Sequence, residues 1–159
     1  MTDETLSGNQ GAGAKLAPAP VRHPARVWLV DDQQIFRESY AKALESAHEF
    51  KCDRQFNSAE ELLAALQMTS GPDVVLLESG LPGMSGIAAV KVIKSCSPAT
   101  VVFLLSAYTS YRQMAEALDG GASGYFRKND PPEAVVVAMR VALRGREAQS
   151  DGARRPNVI

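Results

Sequence analysis

Short apolar runs alternate with amphipathic helical patterns along most of this chain. Two of the runs, Val74 to Leu77 and Thr100 to Leu105, are apolar almost throughout, as strands covered on both faces must be. A third, Phe50 to Phe56, alternates apolar with polar residues and is predicted nearer a sheet edge. The other strand candidates are Arg26 to Val30 and Gly124 to Phe126. This order predicts an α/β fold with a doubly wound parallel sheet and helices on both faces.

Apolar residues at helical spacing predict one helix after each strand. Ser58 and Glu61 form a capping box, in which each side chain satisfies a backbone amide at the other's position. Asp130 is predicted to cap the last helix, with Pro131 in its first turn. The predicted helix starts are Gln33, Ser58, Gly86, Ser110 and Asp130.

The chain has 159 residues, enough for one domain of ordinary size. We predict a disordered N-terminal tail over residues 1–24, one domain over 25–146, and a C-terminal tail or truncated linker over 147–159. The net charge of −1 gives no electrostatic case for nucleic acid or membrane contact. The two cysteines form no metal or redox motif, so a reduced, cytoplasmic setting is expected.

Polar residues follow the predicted strands at their carboxyl ends. Asp31 and Asp32 follow the first strand, Glu78 lies in the segment PDVVLLESGLPGMSG, Ser106 ends the fourth strand, and Lys128 follows the fifth. Because ligands of open parallel sheets bind beyond these ends, the side chains are expected to converge. Carboxylates brought together repel one another unless a hard cation binds or one is protonated.

These residues, in this order around LPGMSG, resemble the receiver domain of two-component response regulators. The resemblance covers roughly Ala25 to Arg146 and is closest to receivers found ahead of helix-turn-helix output domains. It implies a flavodoxin-like sheet of strand order 2-1-3-4-5 and a role in phosphorelay signal transduction rather than catalysis. Receivers carry a phosphoacceptor aspartate where this chain has Glu78.

The resemblance also implies roles for the site residues. Asp32 and Glu78 would bind Mg²⁺ directly, Asp31 would bind it partly through water, and the carbonyl of Gly80 would complete the set. Lys128 would hold a phosphoryl oxygen or the carboxylate itself.

Two further residues match the phosphate-sensing switch of receivers, the hydroxyl of Ser106 and the aromatic ring of Tyr125. A change of state would alter the surface around the fourth helix, fifth strand and fifth helix. The implied partners are a histidine kinase or phosphotransfer protein, or a downstream protein, with homodimer formation as a further expectation. No nucleic acid contact by this chain is expected, because it contains no helix-turn-helix pattern.

Glutamate changes the chemistry at the acceptor position. It adds about 1.3 to 1.5 Å of reach, and phosphoryl transfer tolerates little displacement of the attacking oxygen. Phosphorylation of Glu78 is therefore disfavoured and Mg²⁺ binding is expected to be weak. Three interpretations stay open: a receiver biased toward its active state, a phosphorylation-silent receiver regulated by partner binding, and an introduced phosphomimetic substitution.

Other interpretations compete with these. Glu78 could be an ordinary exposed loop acid, Asp32 a helix N-cap, and Tyr125 an edge-strand aromatic packed on its neighbours. A metal-dependent phosphohydrolase on a similar sheet would need a general acid two residues after its nucleophilic aspartate, which the segment DDQQ does not offer. A nucleotide-binding domain would need a glycine-rich phosphate loop after a strand, and none is present in the sequence.

Overall fold

A five-stranded parallel sheet forms the centre of the protein in a computed structural model that describes residues 23–108 and 110–153. The strand order is β2-β1-β3-β4-β5, which confirms the predicted topology and places β2 at an edge. The strands are β1 (Ala25–Val30), β2 (Phe50–Phe56), β3 (Val74–Glu78), β4 (Val101–Ser106) and β5 (Gly124–Arg127).

One helix follows each strand. The helices are α1 (Gln34–Glu45), α2 (Ala59–Met68), α3 (Gly86–Cys96), α4 (Tyr111–Asp119) and α5 (Pro132–Ala153). The hydroxyl of Ser58 accepts a hydrogen bond from the Glu61 backbone amide, as the capping box predicts, but the Glu61 carboxylate accepts from the amide of Asn57 rather than Ser58. No helix in the described residues is long and apolar enough to cross a membrane.

The core lies on both faces of the sheet, and alternate residues of each central strand enter opposite sides. Val27 and Leu29 pack in the cluster that contains α1 and α5, whereas Trp28 and Val30 pack in the cluster that contains α2 and α3. All four side chains are fully buried. This double burial explains why the central strands are apolar at every position rather than at every second one.

The last helix differs from its predicted start and length. It begins at Pro132, and the Asp130 carboxylate accepts a 2.9 Å hydrogen bond from the backbone amide of Arg127 rather than from the first turn of the helix. The helix continues past Arg146 to Ala153, into the segment predicted as a tail. The predicted N-terminal tail lies outside the described residues, apart from His23 and Pro24.

A lysine-bridged carboxylate site at the carboxyl end of the sheet

Strand register brings the predicted site residues together. Val30 of β1 pairs with Leu77 of β3, so the next residues along these two strands, Asp31 and Glu78, are neighbours. On the other side of β3, Ser106 at the end of β4 pairs with Arg127 of β5, and Lys128 follows directly. The site therefore forms at the ends of β1 and β3, where the strand order changes direction: the chain passes from β1 to β2 on one side and then returns to β3 on the other.

Glu78 is the last residue of β3 and is only 6% exposed. The alternative that it is an ordinary exposed loop acid is therefore wrong. Its position depends on Gly86, the first residue of α3, because a Cβ atom there would lie 2.0 Å from the Glu78 carbonyl oxygen. The loop between β3 and α3 can close over the strand end only if this residue has no side chain.

The ammonium group of Lys128 bridges the two buried carboxylates. Its Nζ lies 2.6 Å from Asp31 Oδ2 and 2.7 Å from Glu78 Oε2. It also lies 4.4 Å from the centre of the Phe36 ring, within the range of a cation–π interaction. The two acids face one base, so this cluster carries one more negative than positive formal charge when all three groups are ionised.

Burial and charge act in opposite directions on these groups. Burial raises the pKa of Asp31, although the hydrogen bond from Lys128 and the amide of Gln33 oppose that rise. Burial alone would lower the pKa of Lys128, but its hydrogen bonds to Asp31 and Glu78 prevail and raise it. The ammonium form of Lys128 is thus the form that the site favours.

The second oxygen of Glu78 has its own donors. Oε1 accepts a 2.9 Å hydrogen bond from the backbone amide of Gly80 and a 3.2 Å hydrogen bond from the hydroxyl of Ser79. Gly80 was expected to contribute its carbonyl oxygen to a cation. In the structure, the N–H group of Gly80 donates to the Glu78 carboxylate instead.

The two aspartates after β1 have different environments. Asp31 is 1% exposed, and its Oδ1 accepts a 2.8 Å hydrogen bond from the amide of Gln33. Asp32 is exposed, and its carboxylate makes no hydrogen bond to any residue that the structure describes. The alternative that Asp32 caps α1 is wrong, because the residue at the N-cap position is Gln33 and no side chain caps this helix.

The donor set has the chemistry that Mg²⁺ prefers, since it offers carboxylate oxygens. The arrangement does not fit the ion, because Lys128 Nζ lies between the two carboxylate oxygens that would be its ligands. Within the described part of the chain, no group of three or more acidic, histidine or cysteine side chains is arranged to hold a metal. The magnesium ligand set stays a prediction.

The two residues predicted to form the switch, Ser106 and Tyr125, meet at one backbone carbonyl. The Ser106 hydroxyl donates to the carbonyl oxygen of Tyr108 at 2.5 Å and accepts from the amide of the same residue at 3.2 Å. The Tyr125 hydroxyl lies 3.4 Å from that carbonyl oxygen and 3.5 Å from the Ser79 hydroxyl. The Tyr125 ring also packs against the core, as the alternative interpretation expected.

Two residues at the site were missed from the sequence. Arg37 is 8% exposed on the inner face of α1, and its guanidinium donates to the Asp31 carbonyl and to the side chains of Gln55 and Asn57. Ser79 is 4% exposed and touches Glu78. Arg37 lies three, four and seven residues before Tyr40, Ala41 and Leu44, the other buried residues of α1, and this helical spacing was the available signal. Ser79 follows a buried strand, as the other site residues do.

The chain matches the family described as the response regulator receiver domain over residues 27–140, and it belongs to this family. Receivers are the phosphorelay signalling modules of two-component systems, so this is the role that the family assigns to the fold. The match includes the strand ends that carry Asp31, Glu78, Ser106 and Lys128.

Known proteins similar to this chain include proteins named as transcriptional regulators. It is 32% identical over 120 residues to the uncharacterized transcriptional regulatory protein YxjL of Bacillus subtilis, an alignment that covers 76% of the chain and 55% of the relative. The chain thus spans about half the length of that relative.

Solved structures with a similar fold are also response regulators. The signal receiver domain of the putative response regulator NarL from Mycobacterium tuberculosis superposes with a TM-score of 0.72 at 27% identity, covering 78% of this chain and 99% of that one. A two-component response regulator of the LuxR family from Aurantimonas has the same TM-score at 30% identity, covering 77% and 86%.

Proposed function

We propose that the chain is an atypical receiver in which the contact between Glu78 and Lys128 stands in for part of the phosphorylated state. The observation that carries this proposal is the 2.7 Å distance between Glu78 Oε2 and Lys128 Nζ. The glutamate reaches the ammonium that, in the receiver resemblance, holds a phosphoryl oxygen. Its charge is about −1 against roughly −1.5 to −2 for a phosphate, so the mimicry is partial.

The same contact makes Glu78 a poor phosphoacceptor. One carboxylate oxygen is paired with Lys128 and the other accepts from Gly80 and Ser79, so existing contacts hold both oxygens in place. A displacement of about 1 Å can already cost roughly 100-fold in rate. The proposal therefore includes no efficient phosphoryl transfer and no catalytic turnover, and it assigns Mg²⁺ at most a weak role at Asp31, Asp32, Glu78 and Gly80.

The output in this proposal is a protein-interaction surface formed by α4, β5 and α5. Several large apolar side chains on α4, α5 and the loop before α4 are exposed, namely Tyr108, Tyr111, Leu118, Val137 and Val141. Such side chains favour contact with another protein. The partners proposed are a histidine kinase or phosphotransfer protein, a downstream regulator, or a second copy of this chain.

The setting proposed is the cytoplasm, and the wider role is regulation of transcription. Cys52 and Cys96 are both free thiols, which suits a reducing compartment. The relatives named as transcriptional regulators are longer than this chain, and DNA contact is assigned in this proposal to regions other than residues 25–146.

Mass spectrometry after incubation with a small phosphodonor and Mg²⁺ tests the acceptor site. We expect no stable phosphoryl adduct on the unchanged chain, and we expect Glu78→Asp to gain one. An Mg²⁺-dependent adduct on Glu78 itself would contradict the proposal. An unlabelled Glu78→Asp variant would show that the site has lost more than the acceptor.

Sedimentation of the unchanged chain and of Glu78→Gln tests whether Glu78 favours the active conformation. Glutamine keeps the length of the side chain and removes its charge. We expect weaker self-association in Glu78→Gln, with a modest difference because a charge-assisted hydrogen bond contributes about 1.5 to 3 kcal/mol. Equal association and an unchanged Tyr125 environment would leave Glu78 as a silent replacement.

A further inference from the structure

The hydroxyl of Ser79 lies between the acidic site and the switch tyrosine. Its Oγ is 3.2 Å from Glu78 Oε1 on one side and 3.5 Å from the Tyr125 hydroxyl on the other. Ser79 is 4% exposed, so its hydroxyl is largely screened from solvent. A short polar path therefore joins the carboxylate to the tyrosine without passing through Ser106.

Proton accounting fixes the direction of these contacts. A serine hydroxyl has one proton and two lone pairs, and a carboxylate can only accept. The Ser79 proton therefore goes to Glu78, and the lone pairs of Ser79 accept from Tyr125. A charged acceptor polarises the hydroxyl that donates to it, which makes the Ser79 oxygen a better acceptor for the next donor.

The Tyr125 hydroxyl has one proton and two acceptors at nearly equal distances. The Ser79 oxygen is at 3.5 Å and the Tyr108 carbonyl oxygen is at 3.4 Å, and both distances exceed the usual range for hydroxyl donors. The carbonyl already accepts the Ser106 hydroxyl at 2.5 Å. A small movement of the phenol ring strengthens one contact at the expense of the other, so the charge on Glu78 has a direct means of influencing this choice.

We infer that Ser79 is a positioning residue that couples the charge of Glu78 to the side-chain position of Tyr125. The inference rests on the proposed function, since it supplies a route for the bias proposed there. The coupling runs from the Glu78 carboxylate through the Ser79 hydroxyl to the phenol. The route through Ser106 and the Tyr108 carbonyl is separate and begins at a different strand.

A comparison of backgrounds tests the inference. Tyrosine ring carbons are labelled with ¹³C, and the Tyr125 resonance is assigned by its loss in Tyr125→Phe. The shift that Glu78→Gln produces at Tyr125 is then measured in the unchanged chain, in Ser79→Ala and in Ser106→Ala. Ser106→Ala is the matched control, because it removes a buried hydroxyl from the other route. The fluorescence of the buried Trp28 shows that each variant is folded.

We expect Glu78→Gln to shift the Tyr125 resonance in the unchanged chain and in Ser106→Ala, and to lose that effect in Ser79→Ala. An equal shift in the unchanged chain and Ser79→Ala would overturn the coupling through Ser79 while leaving the proposed function intact. A shift in none of the backgrounds would overturn both.

A reciprocal measurement does not depend on the Ser79 variant. With ¹³C-labelled glutamate, the Glu78 carboxyl resonance is assigned by its loss in Glu78→Gln. Tyr125→Phe removes the phenol donor and is expected to shift this resonance, because the Ser79 hydroxyl loses one partner. An unchanged Glu78 resonance in Tyr125→Phe would also overturn the inference.

Discussion

The two ends of the sheet hold charged pairs in opposite ways. At the carboxyl end, the side chains of Lys128, Asp31 and Glu78 are 14%, 1% and 8% exposed. At the amino end, Arg140 pairs with Glu49 at 2.7 Å, and these side chains are 37% and 48% exposed. The exposed end therefore matches each acid with its own base, whereas the buried end places two acids on one base.

The charged pairs at the two ends have different roles. Those at the amino end connect elements of the fold. The exposed pair joins α5 to the start of β2, and a second pair of Arg146 with Asp73 joins α5 to the start of β3. Both pairs keep roughly a third to a half of each side chain exposed, so they lose less water than the buried cluster. The buried cluster has lost most of its water and leaves one carboxylate charge uncompensated, and such an arrangement is a weak source of stability. We therefore assign the cluster a role in the proposed switch rather than in stability.

Loss of Lys128 should have the largest effect. In Lys128→Met, two buried carboxylates face each other without a counter-charge, so we expect the free energy of unfolding at neutral pH to fall by about 3 to 5 kcal/mol. Urea unfolding monitored by Trp28 measures this change. Arg146→Met is the matched control at the amino end, where the loss should be at most about 1 kcal/mol. Equal losses in the two variants would remove the distinction between the ends.

Two glycines compare tight packing at the carboxyl end of the sheet with open space on α5. A Cβ atom at Gly86 would lie 2.0 Å from the carbonyl oxygen of Glu78, whereas a Cβ atom at Gly145 on α5 has nothing within 4 Å. We expect Gly86→Ala to lower the free energy of unfolding by about 3 kcal/mol, the upper part of the range for overpacking. Gly145→Ala should instead raise it by roughly 0.5 to 1 kcal/mol, because alanine favours the helix. Thermal unfolding of the two variants decides the matter, and a stable Gly86→Ala would contradict the close approach.

The sequence predicted the sheet well because the relevant forces are local and repetitive. Buried strands must be apolar and helices must repeat their apolar residues, so each element could be located and the strand ends identified. Convergence of Asp31, Glu78 and Lys128 then follows from parallel topology. The start of α5 was less predictable, because Asp130 has two competing acceptor roles and only the three-dimensional turn decides between them.

The contacts within the site could not be predicted from the pattern. The ammonium of Lys128 has a long flexible side chain, and its bridging position depends on the depth of both carboxylates. Arg37 is a charged residue on an apolar stripe, and its three neutral acceptors come from two segments of the chain, the ends of β1 and β2. Ser79 acquires its role only because β5 brings Tyr125 beside it. Each of these depends on long-range geometry rather than on spacing along the chain.

Added Mg²⁺ should have a smaller effect on thermal stability, and only through the carboxylates at the carboxyl end of the sheet. Because the Lys128 ammonium lies where a cation would bind, we expect millimolar Mg²⁺ to change the thermal midpoint of the unchanged chain little. The Lys128→Met variant should gain more from Mg²⁺, since its carboxylates lack a counter-charge. Differential scanning fluorimetry with and without Mg²⁺ measures both, and Asp32→Ala serves as a control for the predicted ligand. Tight binding by the unchanged chain that survives Asp32→Ala would contradict the ligand set.

The smallest expected effect is a dependence on pH at the amino end. The hydrogen bonds from Arg140 lower the pKa of Glu49 below its usual 4.5. A carboxyl group with a lowered pKa in the folded state adds stability above its unfolded pKa and loses it as pH falls through the folded value. The difference in the free energy of unfolding between the unchanged chain and Arg140→Gln should therefore be present at neutral pH. It should vanish as the pH falls below 4.5 and through the lowered pKa of Glu49. Urea midpoints measured at several pH values test this.

The sign of this effect distinguishes the two ends of the sheet. At the carboxyl end, burial raises the pKa of Asp31, so its contribution to stability is present at low pH and is lost as pH rises through the raised value. Asp31→Asn should therefore remove a contribution of opposite slope from the one that Arg140→Gln removes. Both sets of urea midpoints use the same buffers and the same Trp28 signal. Slopes of equal sign in the two difference curves would contradict this prediction. Burial would then not be the reason that the two ends respond differently to pH.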